Sequence, residues 1–440
     1  MSTTNATHSK PRRTKRYGLL AISPMAVLIA CFLTTGICFE DFYKMPLLLV
    51  FIFTAAYALL ITRGHSVHER INHFSRGAGH RNLLFMVWIF VMAGAFASSA
   101  KAMGAIDATV NFTLSLLPES MLLPGIFVTA CFVSMSIGTS VGTIVALTPV
   151  AAGLAAETSI ATPLIVAATV GGALFGDNLS FISDTTIVAT RTQGIKMSDK
   201  FKTNIRIALP AALLTTIIYL IMGINAPGHY AAPDITLAQF IQVLPYLAVL
   251  VLALMGKDVL IVLLIGNLLT GLIGISMGTF NAEGWFSSMA SGIGSMGELI
   301  LISMIAGGVL ELIRINGGIT YLIHKLTRRI SSSRGAECCI AVLVSLTNLC
   351  TANNTIAILS VGEISKNLAD RYGVDHRRSA SILDTCSCVV QSFIPYGAQL
   401  LMAAGLASLS PLEIIPHLFY PMLLTLAIAV SIITKKAIRS

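Results

Sequence analysis

Residues 176–186 read GDNLSFISDTT and place two aspartates, an asparagine and four hydroxyls in a chain otherwise rich in Ala, Val, Ile, Leu and Gly. An ionised carboxylate is costly in such an apolar setting, and either a proton or a cation relieves the cost. A small hard cation takes oxygen ligands. Asp177, Asp184, Ser180, Ser183, Thr185 and Thr186 supply them. The chemistry these residues suit is exchange, with a proton and a metal cation competing for the same carboxylates. Three other polar clusters interrupt apolar runs. SIGTSVGT (136–143) carries Thr139, Ser140 and Thr143, and TNLCTANNT (347–355) carries Asn353, Asn354 and Thr355. DTCSCVVQSFIP (384–395) carries Asp384. The competing reading is that the hydroxyls and asparagines cap helix ends, which these residue types favour. Glu311 has Arg314 at i+3 and reads as a structural pair. Cys386 and Cys388 stand two apart and face different sides of a helix, so no transition-metal site is expected.

The elements that must hold these groups follow from composition. Of 440 residues, 55% are hydrophobic and 11% charged, against about 25% charged in soluble domains. The mean hydropathy is +0.82. These values describe a polytopic membrane protein whose partner is the lipid bilayer. The net charge of +9 lies in short loops between apolar runs, which orients a membrane chain and does not suggest nucleic acid. No GxxxxGK[ST] motif occurs, so no nucleotide cofactor is expected and an ion gradient is left as the energy source. An enzyme is not expected.

Apolar stretches long enough to cross a bilayer lie at 18–37, 45–62, 82–100, 207–225, 239–255, 259–280, 298–313 and 415–434. Longer, interrupted stretches cover 123–155, 161–190, 339–361 and 380–408. Loops 63–81, 191–206, 325–337 and 366–378 are basic, which assigns them to the cytoplasm together with both termini. Loops 114–122 and 156–162 then both fall outside, so the segment between them enters and leaves on one side. The same holds for 339–361, whose 23 residues are too few for two crossings. Re-entrant hairpins with tips at SIGTSVGT and TNLCTANNT satisfy both constraints. Shifts of 212–213 residues align the two halves: Ala93, Gly94, Gly104 and Ile106 meet identical residues, as do Thr139, Thr143 and Ile144. Corresponding loops carry opposite charge character, so the repeat is inverted, an architecture typical of secondary transporters. The expected fold is therefore all-α, with two inverted-topology repeats, each holding a re-entrant hairpin and a broken transmembrane helix. The expected organisation is a tail at 1–17, a first repeat at 18–225, an external linker at 226–237, a second repeat at 238–434 and a tail at 435–440.

GDNLSFISDTT resembles the signature of NhaC-type sodium/proton antiporters, approximately GDKxSPxSDTT. GTSVGT is similar to that family's GTSxGT, and ILDTCSCVVQSFIPYGAQ to its EDSGT…LIPWN region. The resemblance runs over most of residues 80–410. It implies Na+ and H+ as partners, a prokaryotic cytoplasmic (inner) membrane, an elevator-like movement and, by analogy, a homodimer. On it, the ion-binding set is Asp177, Asp184, Ser180, Ser183, Thr185, Thr139, Thr143, Asn353, Asn354 and Asp384. Asn178 stands where the family usually has lysine, Phe181 where it has proline, and Leu383 where it has glutamate. Some relatives exchange malate and lactate or carry amino acids, which sets the alternative: an ion-coupled carrier of small organic acids or amino acids. Such a carrier wants a fixed positive group at the site, and neither motif holds a lysine or arginine.

Overall fold

The computed structural model describes residues 18–38, 47–181, 183–224, 235–255, 257–327 and 330–434. The expected tails at 1–17 and 435–440, and most of the linker at 226–237, lie outside the described residues. Among the described residues all regular structure is helical. The first half holds α1 (Ser23–Cys38), α2 (Leu47–Ile61), α3 (Val67–Ala78), α4 (Arg81–Met103), α5 (Ala105–Leu116), α6 (Leu122–Ile137), α7 (Ser140–Glu157), α8 (Thr162–Leu179), α9 (Asp184–Gln193) and α10 (Met197–Ile224). The second holds α11 (Leu237–Leu254), α12 (Val259–Ser276), α13 (Ala282–Ser295), α14 (Gly297–Ile315), α15 (Gly318–Thr327), α16 (Ser333–Thr351), α17 (Asn354–Tyr372), α18 (His376–Phe393), α19 (Ala398–Ala407), the short α20 (Pro411–Ile414) and α21 (Phe419–Thr434). Eight of the described helices or helix pairs are long and apolar enough to cross a membrane, or nine if the bent pair Pro411–His417 and Phe419–Thr434 forms one span.

The order of elements repeats. Each of α1 to α10 begins 211–216 residues before a second-half helix, in the same order, with α10 matching α20 and α21 together. Packing between the halves is reciprocal. Helix α4 packs on α13, and its counterpart α14 packs on α3. Both contacts are backbone-close at glycine: a Cβ on Gly94 would run into Gly292, and one on Gly77 into Gly307. Without a hydrophobic drive between helices in lipid, small residues that admit close packing are what hold such pairs.

Helix α8 is apolar on all sides over most of its length, until Asp177 and Asn178 in its last turn, and every residue from Leu164 to Leu179 is buried. A helix of that kind belongs inside the protein. By contrast Phe53 on α2, Leu213 on α10, Leu272 on α12 and Ile433 on α21 are exposed, as a lipid-facing surface requires. Gly176 lets α8 lie against α6; a Cβ there would meet the Met135 amide nitrogen at 2.5 Å and the Cys131 carbonyl at 2.7 Å.

Two differences from the sequence expectation matter for the site. The segment read as 23 residues at 339–361 is a pair of 19-residue helices, α16 and α17. Their outer turns carry Arg334, Lys366, Asp370 and Arg371, so an apolar window stops short of the helix ends. The basic loop at 191–206 is mostly helix as well. Gly194 ends α9 with φ 73°, and α10 has begun by Met197. Lys200 therefore sits on the inward face of a helix, and only 1% of it is exposed.

Candidate functional site

The four polar interruptions become two hairpin tips and two helix breaks, and each kind has one local geometry. At the first tip Gly138 is left-handed (φ 75°) and Thr139 extended (φ −147°). At the second, Ala352 is left-handed (φ 47°) and Asn353 extended (φ −147°). Glycine takes the first conformation freely; alanine takes it at a steric cost of about 1–2 kcal/mol. The breaks occupy 180–183, between α8 and α9, and 394–397, between α18 and α19. Each break is tied to the hairpin of its own half. Ser180 Oγ donates to the Met135 carbonyl at 2.9 Å, and Tyr396 Oη to the Leu349 carbonyl at 2.8 Å. Ser134 Oγ donates to the Ala173 carbonyl at 2.5 Å, and Asn348 Nδ2 to the Ser387 carbonyl at 2.8 Å.

Asp177 lies where the first tip meets the first break, and 5% of it is exposed. Its Oδ2 accepts from Ser140 Oγ at 2.9 Å and its Oδ1 from Ser183 Oγ at 2.5 Å. Ser183 Oγ and Thr185 Oγ1 are 2.8 Å apart. The Ser183 proton is already committed to Asp177, so Thr185 donates in that pair. Ser140 Oγ accepts from Gln399 Nε2 at 3.0 Å, and Gln391 Nε2 donates to Gln399 Oε1 at 2.8 Å and to the Ala352 carbonyl at 3.2 Å. A chain of side-chain hydrogen bonds thus runs from the second hairpin tip to Asp177 on the first half.

Asp384 is fully buried on α18. Its Oδ2 lies 2.6 Å from Lys200 Nζ and accepts from Asn204 Nδ2 at 3.0 Å. Lys200 also donates to the Asn178 carbonyl at 2.5 Å and to Thr186 Oγ1 at 2.6 Å. All three ammonium protons therefore have acceptors. Asn204 Nδ2 reaches Asn178 Oδ1 at 2.5 Å. Asp384 Oδ1 has no hydrogen-bond partner among the described residues.

The structure brings together Asp177, Ser183 and Thr185 from the expected set, with Ser140. It places the others elsewhere. Asp184 is exposed on the first turn of α9. Ser180 is buried and spends its proton on Met135. Thr143 bonds back to the Thr139 carbonyl at 3.2 Å, and Thr139 is half-buried. Asn353 caps α17 by accepting from the Ile356 amide at 2.9 Å. Asn354 is buried beside it, close to Cys388. Glu311 and Arg314 form a close pair at 2.6 Å. Sequence reasoning missed Lys200, Asn204, Gln391 and Gln399. Lys200 was hidden by its basic neighbours; the signal for it was a lysine one helical turn before Asn204, in the first turn of a long apolar helix.

Five charged side chains are buried among the described residues: Asp177, Lys200, Glu337, Arg378 and Asp384. Lys200 pairs with Asp384, and Arg378 Nε reaches Glu337 Oε2 at 3.2 Å. Asp177 is left with hydroxyl donors alone and no ion pair among the described residues.

A model of the Na+/H+ antiporter family matches residues 14–224 and 234–435. The chain is 22% identical to the malate-2H(+)/Na(+)-lactate antiporter of Bacillus subtilis, over 89% of this chain and 90% of that protein. It is 23% identical to the Na(+)/H(+) antiporter NhaC of Alkalihalophilus pseudofirmus, over 76% and 78%. It is also 23% identical to the arginine/ornithine antiporter ArcD of Halobacterium salinarum, over 91% and 88%. With the family model spanning nearly the whole of both halves, the chain belongs to the Na+/H+ antiporter family, as a multi-pass membrane protein of the cation/proton antiport type.

Proposed function

We propose that the protein exchanges Na+ for H+ across a prokaryotic cytoplasmic membrane, and that the two ions compete for Asp177. The observation that carries this is charge accounting: of the five buried charged groups among the described residues, Asp177 is the one without an ion-pair partner. An ionised carboxylate in that position is costly and is relieved by a proton or a bound cation. The hydroxyls of Ser140, Ser183 and Thr185 suit both states. Each rotates to donate to a bare carboxylate or to turn a lone pair toward a cation. Oxygen-only ligation fits a hard ion.

In this reading the two halves are inverted repeats, the paired helices α6/α7 and α16/α17 are the re-entrant hairpins, and both termini are cytoplasmic. Asp184, exposed on the first turn of α9 six residues after Asn178 in the chain, acts at the entrance and raises the local cation concentration. Asp384, expected as a second-half ligand, has its charge held by Lys200 and balances charge without binding the ion. The reading as a carrier of organic acids or amino acids draws on the names of two relatives. Lys200 is the fixed positive group such a carrier wants, but its three donors are already taken.

The test is exchange in everted membrane vesicles. Na+ should dissipate an imposed pH gradient, Asp177→Asn should reduce this to background, and Asp184→Asn should cost no more than about tenfold. Undiminished exchange in Asp177→Asn, or labelled malate, lactate or arginine uptake without Na+-linked proton movement, overturns the proposal.

A further inference from the structure

The charge balance around Lys200 has a consequence for stoichiometry. Asp177 and Asp384 both descend from buried helices, α8 and α18, that pack on each other and on α10. Two buried carboxylates with no lysine would demand two positive charges. Lys200, on α10, meets Asp384 at 2.6 Å with both side chains at most 1% exposed. The other charged pair on α18, Arg378 with Glu337, is neutral in sum. Cys386, Cys388 and Tyr420, the remaining ionisable side chains buried on α18 and α21, belong to types that ordinarily titrate above neutrality.

We propose that Lys200 sets a one-for-one, electroneutral exchange: by neutralising Asp384 it leaves the buried site one net negative charge, that of Asp177, to be filled by one Na+ or one H+. This rests on the exchange reading above. The step balances as a protonated Asp177 carboxyl plus Na+ giving a carboxylate–Na+ pair plus H+. Both loaded forms are neutral, so neither feels the membrane potential as it crosses. Lys200 acts through Asp384 and does not touch the ion; it is a charge-balancing residue.

The experiment uses the full chain in proteoliposomes with a trapped pH dye and potassium–valinomycin potentials. The Na+ gradient that just balances a fixed pH gradient is found at zero and at imposed potential. The expected result is equal Na+ and H+ ratios at balance, unmoved by potential. An exchanger moving two protons per Na+ would shift its balancing Na+ ratio about fifty-fold per ~100 mV, and a shift of that kind overturns the proposal. A total absence of Na+-linked proton movement instead overturns the exchange reading beneath it. Variants add a second arm. Lys200→Met and Asp384→Asn should each lower exchange at least about tenfold, and the double variant, again with one net negative charge, should recover activity with an unmoved balance point. A double variant no more active than the singles, at equal abundance and thermal stability, also overturns the proposal.

Discussion

Ser140 and Ser183 have one hydroxyl proton each, and both give it to Asp177. Removing either leaves a carboxylate oxygen with one donor fewer and, on the proposed exchange, the cation with one oxygen fewer. Hydrogen bonds to charged groups are worth about 1.5–3 kcal/mol. Ser140→Ala or Ser183→Ala should therefore weaken apparent Na+ affinity by about tenfold or more, read from the Na+ dependence of exchange in proteoliposomes. Thr143→Val, which removes a bond within its own helix, should change it little. At this scale the sequence was informative about Asp177, because a carboxylate in an apolar run has few bland explanations. It was uninformative about Lys200. Loop-charge counting places basic residues in water, and only the packing of α10 against α8 and α18 shows that this one points inward. It was also too generous with hydroxyls and asparagines: Ser180 and Asn353 tie backbone, as helix ends require, and Asp184 faces outward.

Close contact, as well as polar bonds, holds the helices beside the breaks and tips. Gly176→Ala would drive a Cβ into the Met135 amide and Cys131 carbonyl. Such overpacking typically costs about 1–3 kcal/mol, and here it would separate α8 from α6 beside Asp177. Lower thermal stability in detergent together with lost exchange is the expected outcome. At the start of α18, Asp375 caps the helix by accepting from the Arg377 amide at 2.8 Å. Its bond to the Arg377 guanidinium holds its carboxyl below the usual carboxylate range. A depressed carboxylate contributes stability that is full above its unfolded value, near pH ~4, and is lost as pH falls through the lower folded value. Asp375→Ala should cost about 1 kcal/mol at neutral pH and nothing further in strong acid, measured by thermal unfolding across pH. The tips and the break between α8 and α9 fall within polar runs read from the sequence; the run read at 384–395 is helix as far as Phe393, Asp384 included, and only its end reaches the break before α19. Helix ends were not legible, because polar outer turns such as those of α16, α17 and α10 look like loops when only apolar length is counted.

Across the whole molecule, ten first-half helices recur in order in the second half, while the two buried aspartates have no counterpart. The positions 212–214 residues after Asp177 hold Val389, Val390 and Gln391, and those 212–214 before Asp384 hold Gly172, Gly171 and Val170. The repeated architecture supplies two tips and two breaks; the chain places a buried carboxylate without an ion pair among the described residues beside one break and the Lys200–Asp384 pair on the helix that leads to the other. Arg378 and Glu337, both buried, join α18 to α16, and Arg378 Nη1 donates to Ser431 of α21 at 2.5 Å. Breaking one member of a buried pair leaves an uncompensated charge, at a cost of about 3–5 kcal/mol. Arg378→Met should lower the melting temperature markedly, and Glu337→Gln with Arg378→Met should recover much of the loss. Proton release on Na+ binding tests most directly whether the two ions compete for Asp177. Purified protein in weakly buffered detergent solution, titrated with Na+ near neutral pH, should release up to about one proton per chain, and Asp177→Asn should release none. Na+ binding without proton release at any pH between about 5 and 9, or release undiminished in Asp177→Asn, would contradict it.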